Sequence, residues 1–146
     1  MRAFPAALAA LWLLPMYACS PKPSASGPAP SVSERSLDDR EWVLVQLGEV
    51  AVPLGAGGRP ATIRFEPGTA RAAGFAGCNR YTAGYTLAGD SLSFGAAIST
   101  KMACADGDAL EQGYLAMLPA IRSYRLTDST LIFDGSSGPL ARFRTP

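Results

Sequence analysis

The sequence of 146 residues predicts an α+β fold: a mostly antiparallel, curled β-sheet with one principal helix. Two patterns support this prediction. Short segments in which apolar and polar residues alternate recur along the chain, and glycine, aspartate and serine separate them, as in antiparallel sheets. One segment instead has apolar residues at helical spacing. Because these segments all follow residue 36, we expect the folded domain to occupy residues 37–146.

Most of the predicted elements are strands. They are EWVLVQL (41–47), TIRFE (62–66), a hairpin at 82–94, SYRL (123–126), TLIF (130–133) and PLARF (139–143). The first segment is apolar on both faces, which predicts a strand buried on two sides or a long strand at the edge of the core. In the second, Ile63 and Phe65 share one face. The hairpin is predicted to turn at Gly89 and Asp90.

The predicted helix lies between the hairpin and the last three strands. Its apolar stripe consists of Leu110, Tyr114, Met117, Leu118 and Ile121. Asp108 and Glu111, three positions apart, predict a capping box at its start. Pro119 limits its continuation. We interpret the stripe as core that closes one face of the sheet.

The N-terminus predicts export. Residues 3–14, AFPAALAALWLL, form an apolar run that suits a signal peptide and is too short for a permanent membrane span. Ala18 and Cys19 match a bacterial lipobox, although Met16 and Tyr17 depart from its usual residues. We therefore expect residues 1–18 to be a lipoprotein signal peptide and Cys19 to be lipidated. Ser20 favours the outer membrane, facing the periplasm; if the lipobox is not used, the protein is secreted.

Residues 19–36 are rich in proline, serine and alanine, which predicts a disordered tether behind the lipid anchor. Removal of residues 1–18 takes away Arg2, one of 13 basic residues, against 12 acidic residues. With no net charge and no basic face, nucleic acid is not an expected partner. The chain has no histidine, which excludes Ser–His or Cys–His catalysis and histidine-ligated metal sites.

Three cysteines leave an odd thiol in an exported protein unless Cys19 carries lipid. Cys78 and Cys104 then remain as a pair in an oxidising compartment, where a disulfide is the favoured interpretation and two buried free thiols are the alternative. Two cysteines cannot complete a zinc site. The acidic residues Asp106, Asp108 and Glu111 lack the spacing of a calcium loop, so we expect no metal and no cofactor.

Several motifs together resemble the META domain family of HslJ-like, heat-inducible bacterial proteins. The matching segments are W-x-L-x-x-L from Trp42, G-F-A-G-C-N-R-Y at 74–81, S-T-K-M-A-C at 99–104, and the strand T-L-I-F. The resemblance implies a small α+β domain with antiparallel strands and one principal helix. It also implies an envelope protein associated with stress response, with no established enzymatic activity, so no catalytic residue is carried over.

The two cysteine motifs meet in space if Cys78 and Cys104 pair. The expected interaction surface then comprises Asn79, Arg80, Tyr81, Thr100 and Lys101, with Asn79 and Arg80 exposed.

The functional prediction is a monomeric, non-catalytic, lipid-anchored envelope protein that binds an envelope protein or small ligand, or maintains the envelope under stress. The alternative is a tethered inhibitor of a hydrolase such as lysozyme or an envelope protease, acting through the loop at 53–60 or at 99–108. A third hypothesis is an enzyme that acts through aspartate or glutamate alone, which requires two carboxyl groups about 5–10 Å apart in a cleft.

Overall fold

A computed structural model describes residues 37, 38 and 40–146. In this structure the strands that the sequence predicts pair with one another. The predicted signal peptide, the lipidation site Cys19 and the tether lie outside the described residues. Within the described residues, no helix has the length and apolar character needed to cross a membrane.

In the described part of the chain, ten strands form one sheet, and helix α1 lies between the seventh and the eighth strand. The strands are β1 (Glu41–Leu47), β2 (Val50–Ala51), β3 (Thr62–Glu66), β4 (Arg71–Phe75), β5 (Arg80–Ala88), β6 (Ser91–Phe94), β7 (Ile98–Ser99), β8 (Ser123–Leu126), β9 (Thr130–Gly135) and β10 (Gly138–Arg144). Helix α1 spans Asp108–Met117, and a 3-10 turn at Leu118–Ala120 continues it.

The sheet closes on itself. Its order runs β1, β3, β4, β5, β6, β8, β9, β10, each strand antiparallel to the next, and β10 pairs back onto β1. The short strands β2 and β7 add to β1 and β5 respectively. The predicted curled sheet is therefore a closed antiparallel barrel, in which the ring strands have few unpaired edges.

Large apolar side chains fill the interior of the barrel. The fully buried ones include Trp42, Ile63, Phe65, Leu92, Leu131, Phe133 and Phe143. Helix α1 closes one end of the barrel with Leu110, Tyr114 and Met117, which face inward. The ring of Tyr114 packs edge-on against Phe143, with 6.3 Å between the ring centroids. The predicted role of the apolar stripe as core is thus confirmed.

The predicted strands are all present, with small changes at their ends. The prediction for the first strand was wrong in one respect: Trp42 and Leu44 are buried, but Val43 and Val45 on the outer face are half-exposed, so only one face is core. Strand β4, RAAGF, was not predicted. Its alanines and glycine give no contrast between its two faces, which removes the alternation on which strand prediction depends.

The predicted capping box was also wrong. Residue Gly107 precedes the helix with a φ of 94°, and no side chain caps the first turn. Glu111 does not reach back to its own helix start, because its carboxylate bonds to Asn79 in the turn between β4 and β5. The sequence spacing predicted a local contact for Glu111, but in the structure this side chain contacts a residue that is distant in the chain.

Candidate functional site

The turn between β4 and β5, residues 76–79, carries the cysteine motif. Phe75 and Arg80 pair across the two strands, and the Ala76 N–H donates to the Asn79 carbonyl oxygen over 2.9 Å. Gly77 has a φ of 122°, in a region that side-chain-bearing residues rarely adopt. Glycine is therefore required for the turn that presents Cys78 and Asn79 to the neighbouring segment.

A disulfide joins Cys78 to Cys104, with 5.9 Å between their Cα atoms. The predicted pairing is thus present, and it ties the segment 99–108 to the barrel. Cys78 is buried, whereas Cys104 is partly exposed. The Asp108 carboxylate lies within 4.8 Å of both sulfur atoms. Because the sulfurs are bonded to each other, they offer no thiolate to a cation at this position.

The side chain of Asn79 holds the same segment by hydrogen bonds. Its Oδ1 accepts from the Thr100 hydroxyl and from the Met102 N–H, both over 2.9 Å. Its Nδ2 lies 3.2 Å from the Met102 carbonyl oxygen and 3.0 Å from Oε2 of Glu111. The backbone N–H of Asn79 also donates to Glu111 over 2.6 Å. One amide side chain therefore connects the turn, the segment 99–108 and helix α1.

Three glycines bring three segments into backbone contact. The Ala56 N–H donates to the Gly77 carbonyl oxygen over 2.7 Å. A Cβ atom on Gly55 would lie 2.1 Å from that oxygen, and one on Gly107 would lie 2.3 Å from it. No side chain fits in these contacts. We call the three segments, 53–60, 76–79 and 99–108, the loop cluster.

The loop cluster lies at the barrel end that α1 closes, and it presents large apolar side chains to solvent. Leu54 and Met102 are each 62% exposed. Beside Met102 is an open depression of about 390 Å³, lined in part by Lys101, Asp108 and Glu111. Both Glu111 oxygens lie within 3.3 Å of the Asn79 amide nitrogen. This carboxylate therefore acts as an acceptor that positions the turn.

The structure corrects the predicted interaction surface at two residues. Asn79 is only 4% exposed, and it acts inside the cluster instead of on its surface. Tyr81 points into the barrel, where its hydroxyl lies 2.6 Å from that of Tyr114. Arg80, Thr100 and Lys101 are exposed.

The buried tyrosine pair stays protonated near neutral pH. Burial raises the pKa of both Tyr81 and Tyr114 well above the usual value, because an ionised phenolate is poorly solvated in the core. Each hydroxyl also approaches the Thr62 carbonyl oxygen, over 3.3 and 3.4 Å. These two tyrosines therefore link α1 to β3 and β5.

Sequence reasoning missed Glu111 and the glycines of the cluster as organising residues. The spacing of Glu111 from Asp108 suggested a local cap, which concealed its contact with a residue 32 positions away. Gly55 lies in a glycine-rich loop whose composition suggests only a turn. The one available signal was an asparagine directly after a cysteine expected to be paired, because an amide that becomes buried in such a turn requires several partners.

Comparison with known proteins agrees with this architecture. The META domain model matches residues 35–146. A solved structure described as the NMR structure of the protein from Burkholderia xenovorans is 29% identical, with a TM-score of 0.63, and covers 89% of this chain and 99% of its own. A second NMR structure, 20% identical with a TM-score of 0.59, covers 75% and 92% and shares the fold. A search of curated proteins found no match.

The matched residues include the whole barrel, helix α1 and the loop cluster. The family model therefore extends well beyond half of the chain. The chain belongs to the META domain family.

Proposed function

We propose that the protein is a non-catalytic, lipid-anchored envelope protein whose META domain binds an envelope component through the loop cluster, particularly under stress. The observation that carries this proposal is the way the cluster is held. A disulfide, the Asn79 network and three glycine contacts fix its backbone, while Leu54 and Met102 remain exposed.

A fixed backbone matters for binding because a surface that is already ordered loses little conformational entropy when a partner docks. Exposed apolar side chains supply contact area, and Met adapts its shape to a partner. Within the segment 99–104, Met102 is exposed although its backbone is bonded to Asn79 through both its N–H and its carbonyl oxygen. The structure thus combines a rigid frame with an accessible side chain.

Site-specific photo-crosslinking in intact cells tests this proposal. A photoreactive residue in place of Met102 should give a discrete crosslinked product with an envelope component. The matched control is the same residue at the exposed Ser129, in the turn between β8 and β9 at the opposite end of the barrel. Equal products from both positions, or products from Ser129 alone, would argue against the loop cluster as the contact surface.

The anchoring part of the proposal rests on the N-terminal sequence, with its apolar run and the Ala18–Cys19 pair. A lipid at Cys19 and a tether over 19–36 would place the domain on the periplasmic side of the outer membrane. Globomycin, which blocks lipoprotein processing, should cause the unprocessed precursor to accumulate. An unchanged mature size and location under globomycin would contradict lipid anchoring.

A second candidate, a tethered inhibitor of a hydrolase, is favoured by one observation. The two loops with that predicted role, 53–60 and 99–108, lie together at one end of the barrel, where both contact Gly77. A rigid pair of loops suits insertion into an active site. A pull-down with lysozymes and envelope proteases should capture an enzyme in this case, and the Met102 crosslink should then identify that enzyme.

A further inference from the structure

We propose that the outer face of β4 and β5, beside the loop cluster, carries a binding site for a carboxylate group of a peptide or protein partner. The site is a depression of about 230 Å³ whose lining includes Arg59, Arg80, Phe75 and Glu41. This proposal rests on the proposed binding function, and it names the chemistry of the contact.

Strand register places Phe75 and Arg80 side by side. The two residues are direct partners across β4 and β5. Directly paired residues of neighbouring strands share one face of a sheet. The next residue, Tyr81, points into the core, so Arg80 and Phe75 lie on the outer face. An aromatic ring outside the barrel requires a cover, and Phe75 is only 7% exposed.

Arg59 supplies that cover. Its Cζ atom lies 3.9 Å from the centroid of the Phe75 ring, so the guanidinium stacks on the aromatic face. Its Nε is 3.4 Å from the Ala56 carbonyl oxygen, which also orients the group. A stacked guanidinium keeps its remaining N–H donors at its edge, where they can form a fork for a carboxylate. The aromatic ring therefore positions a charged donor before any ligand arrives.

The charges around the depression favour a negatively charged ligand. Within the described residues, neither Arg59 nor Arg80 forms an ion pair, whereas Arg125 does so with Asp134. Two arginines and Glu41 leave an excess of one positive charge at the lining. This excess attracts an anion, and the two coplanar oxygens of a carboxylate match the paired N–H donors at the edge of a guanidinium. An acidic side chain or a chain terminus of the partner is the occupant that we expect.

The test uses NMR titration of protein purified after expression of the full chain, with isotope-labelled arginine side chains. The probe is an acetylated and amidated Gly-Glu-Gly peptide, and the same peptide with Gln is its neutral control. The Glu peptide should shift the Arg59 and Arg80 Nε–Hε resonances saturably, and the Gln peptide should not. Arg59→Ala and Arg80→Ala should each weaken binding about tenfold.

Three further variants separate this site from general attraction to a surface. Arg59→Lys keeps the charge but loses the fork, so binding should weaken. Glu41→Gln should strengthen binding several-fold because it removes the opposing charge. Arg71→Ala, at an exposed arginine at the far end of β4, should leave binding unchanged.

Equal responses to the Glu and Gln peptides, unsaturable shifts spread over all arginines, or an Arg71→Ala effect as large as that of Arg80→Ala would overturn the proposal. Tighter binding of inorganic phosphate than of the Glu peptide would overturn the choice of a carboxylate. These results are distinct from those of photo-crosslinking, since a partner captured at Met102 without a response to the peptide would refute this site alone.

Discussion

The amide of Asn79 makes hydrogen bonds through both its oxygen and its nitrogen, while it is itself almost completely buried. Such a group is stabilising only if all its polar atoms are satisfied, because a buried polar atom without a partner costs about 1–3 kcal/mol. Its neighbours depend on it in turn. Without Asn79, the Met102 N–H and the Glu111 carboxylate lose a partner that the protein supplies.

We expect Asn79→Ala to lower the free energy of unfolding by about 3 kcal/mol, because several hydrogen bonds are lost together. Denaturant unfolding of Asn79→Ala, Glu111→Gln and the double variant would measure this cost. The two changes should be non-additive by about 1 kcal/mol or more, since the residues bond directly. Additive costs would show that Asn79 and Glu111 act independently.

Gly55 is a second position at which a close contact leaves room only for glycine. Gly55→Ala places a Cβ 2.1 Å from the Gly77 carbonyl oxygen, and backbone must move to relieve this clash. We expect a loss of about 3 kcal/mol in thermal or denaturant unfolding. Gly68→Ala is the matched control, because nothing lies within 4 Å of its Cβ position, and it should change stability by less than about 0.5 kcal/mol. Similar losses from both variants would contradict the packing explanation.

At the scale of elements, the segment 99–108 shares only Ser99 with strand β7 and only Asp108 with helix α1, and between these two residues it depends on the disulfide and on Asn79. Its side chains from Thr100 to Ala103 are exposed, so burial contributes little to holding it. The alternating strands of the barrel are held differently, by ladders of backbone hydrogen bonds and by apolar side chains in the core.

Removal of the disulfide by Cys78→Ser and Cys104→Ser together should lower stability by about 3.5 kcal/mol on the chain-entropy estimate. Hydrogen exchange should increase mainly in residues 99–108, because the barrel strands keep their own hydrogen bonds. Alkylation of the wild-type protein without reductant, followed by mass analysis, should leave both cysteines unlabelled. Labelling of both cysteines would refute the bridge, and a uniform increase in exchange would refute its local role.

For the molecule as a whole, β10 pairing with β1 joins the two ends of the described chain into one ring. Trp42 near the start and Phe143 near the end are both fully buried in the same core. The tyrosine pair adds helix α1 to this unit, since Tyr114 contacts Tyr81 and Phe143. We therefore expect the domain to unfold cooperatively. In that case the protonation of a buried group influences the stability of the whole domain.

Stability should fall as the pH rises above about 10. Burial raises the folded-state pKa of Tyr81 and Tyr114, so the unfolded chain releases these two protons first and is favoured by alkaline pH. The loss should reach about 1.4 kcal/mol per pH unit for each tyrosine until its folded pKa is passed. Denaturant unfolding between pH 8 and 11 should show this slope in the wild type.

Tyr81→Phe and Tyr114→Phe should each reduce this alkaline slope by about half. Tyr85→Phe should reduce the alkaline slope less, because the Tyr85 ring is partly exposed and its hydroxyl is therefore less desolvated. An unchanged slope in the double variant Tyr81→Phe/Tyr114→Phe would show that other groups control alkaline stability.

The sequence by itself determined the local elements and the chemistry that is absent. Apolar patterning located most of the ring strands, although not β4, and the apolar stripe located α1. The lack of histidine excluded Ser–His and Cys–His catalysis and histidine-ligated metal sites. These properties depend on residues close together in the chain, so periodicity and composition report them. The family resemblance added the expected fold, and the pairing of Cys78 with Cys104 was the favoured one of two alternatives, based on the number of cysteines and the predicted export.

Only the tertiary structure decided which distant residues meet. Four features join segments that are distant in the chain. They are the closure of the barrel, the contact of Glu111 with Asn79, the convergence of Gly55 and Gly107 on Gly77, and the stacking of Arg59 on Phe75. No local pattern encodes these contacts, because each depends on strand register and on how loops leave the barrel. For the same reason the sequence predicted Asn79 to be an exposed contact residue, whereas in the fold it is a buried residue that organises the loop cluster.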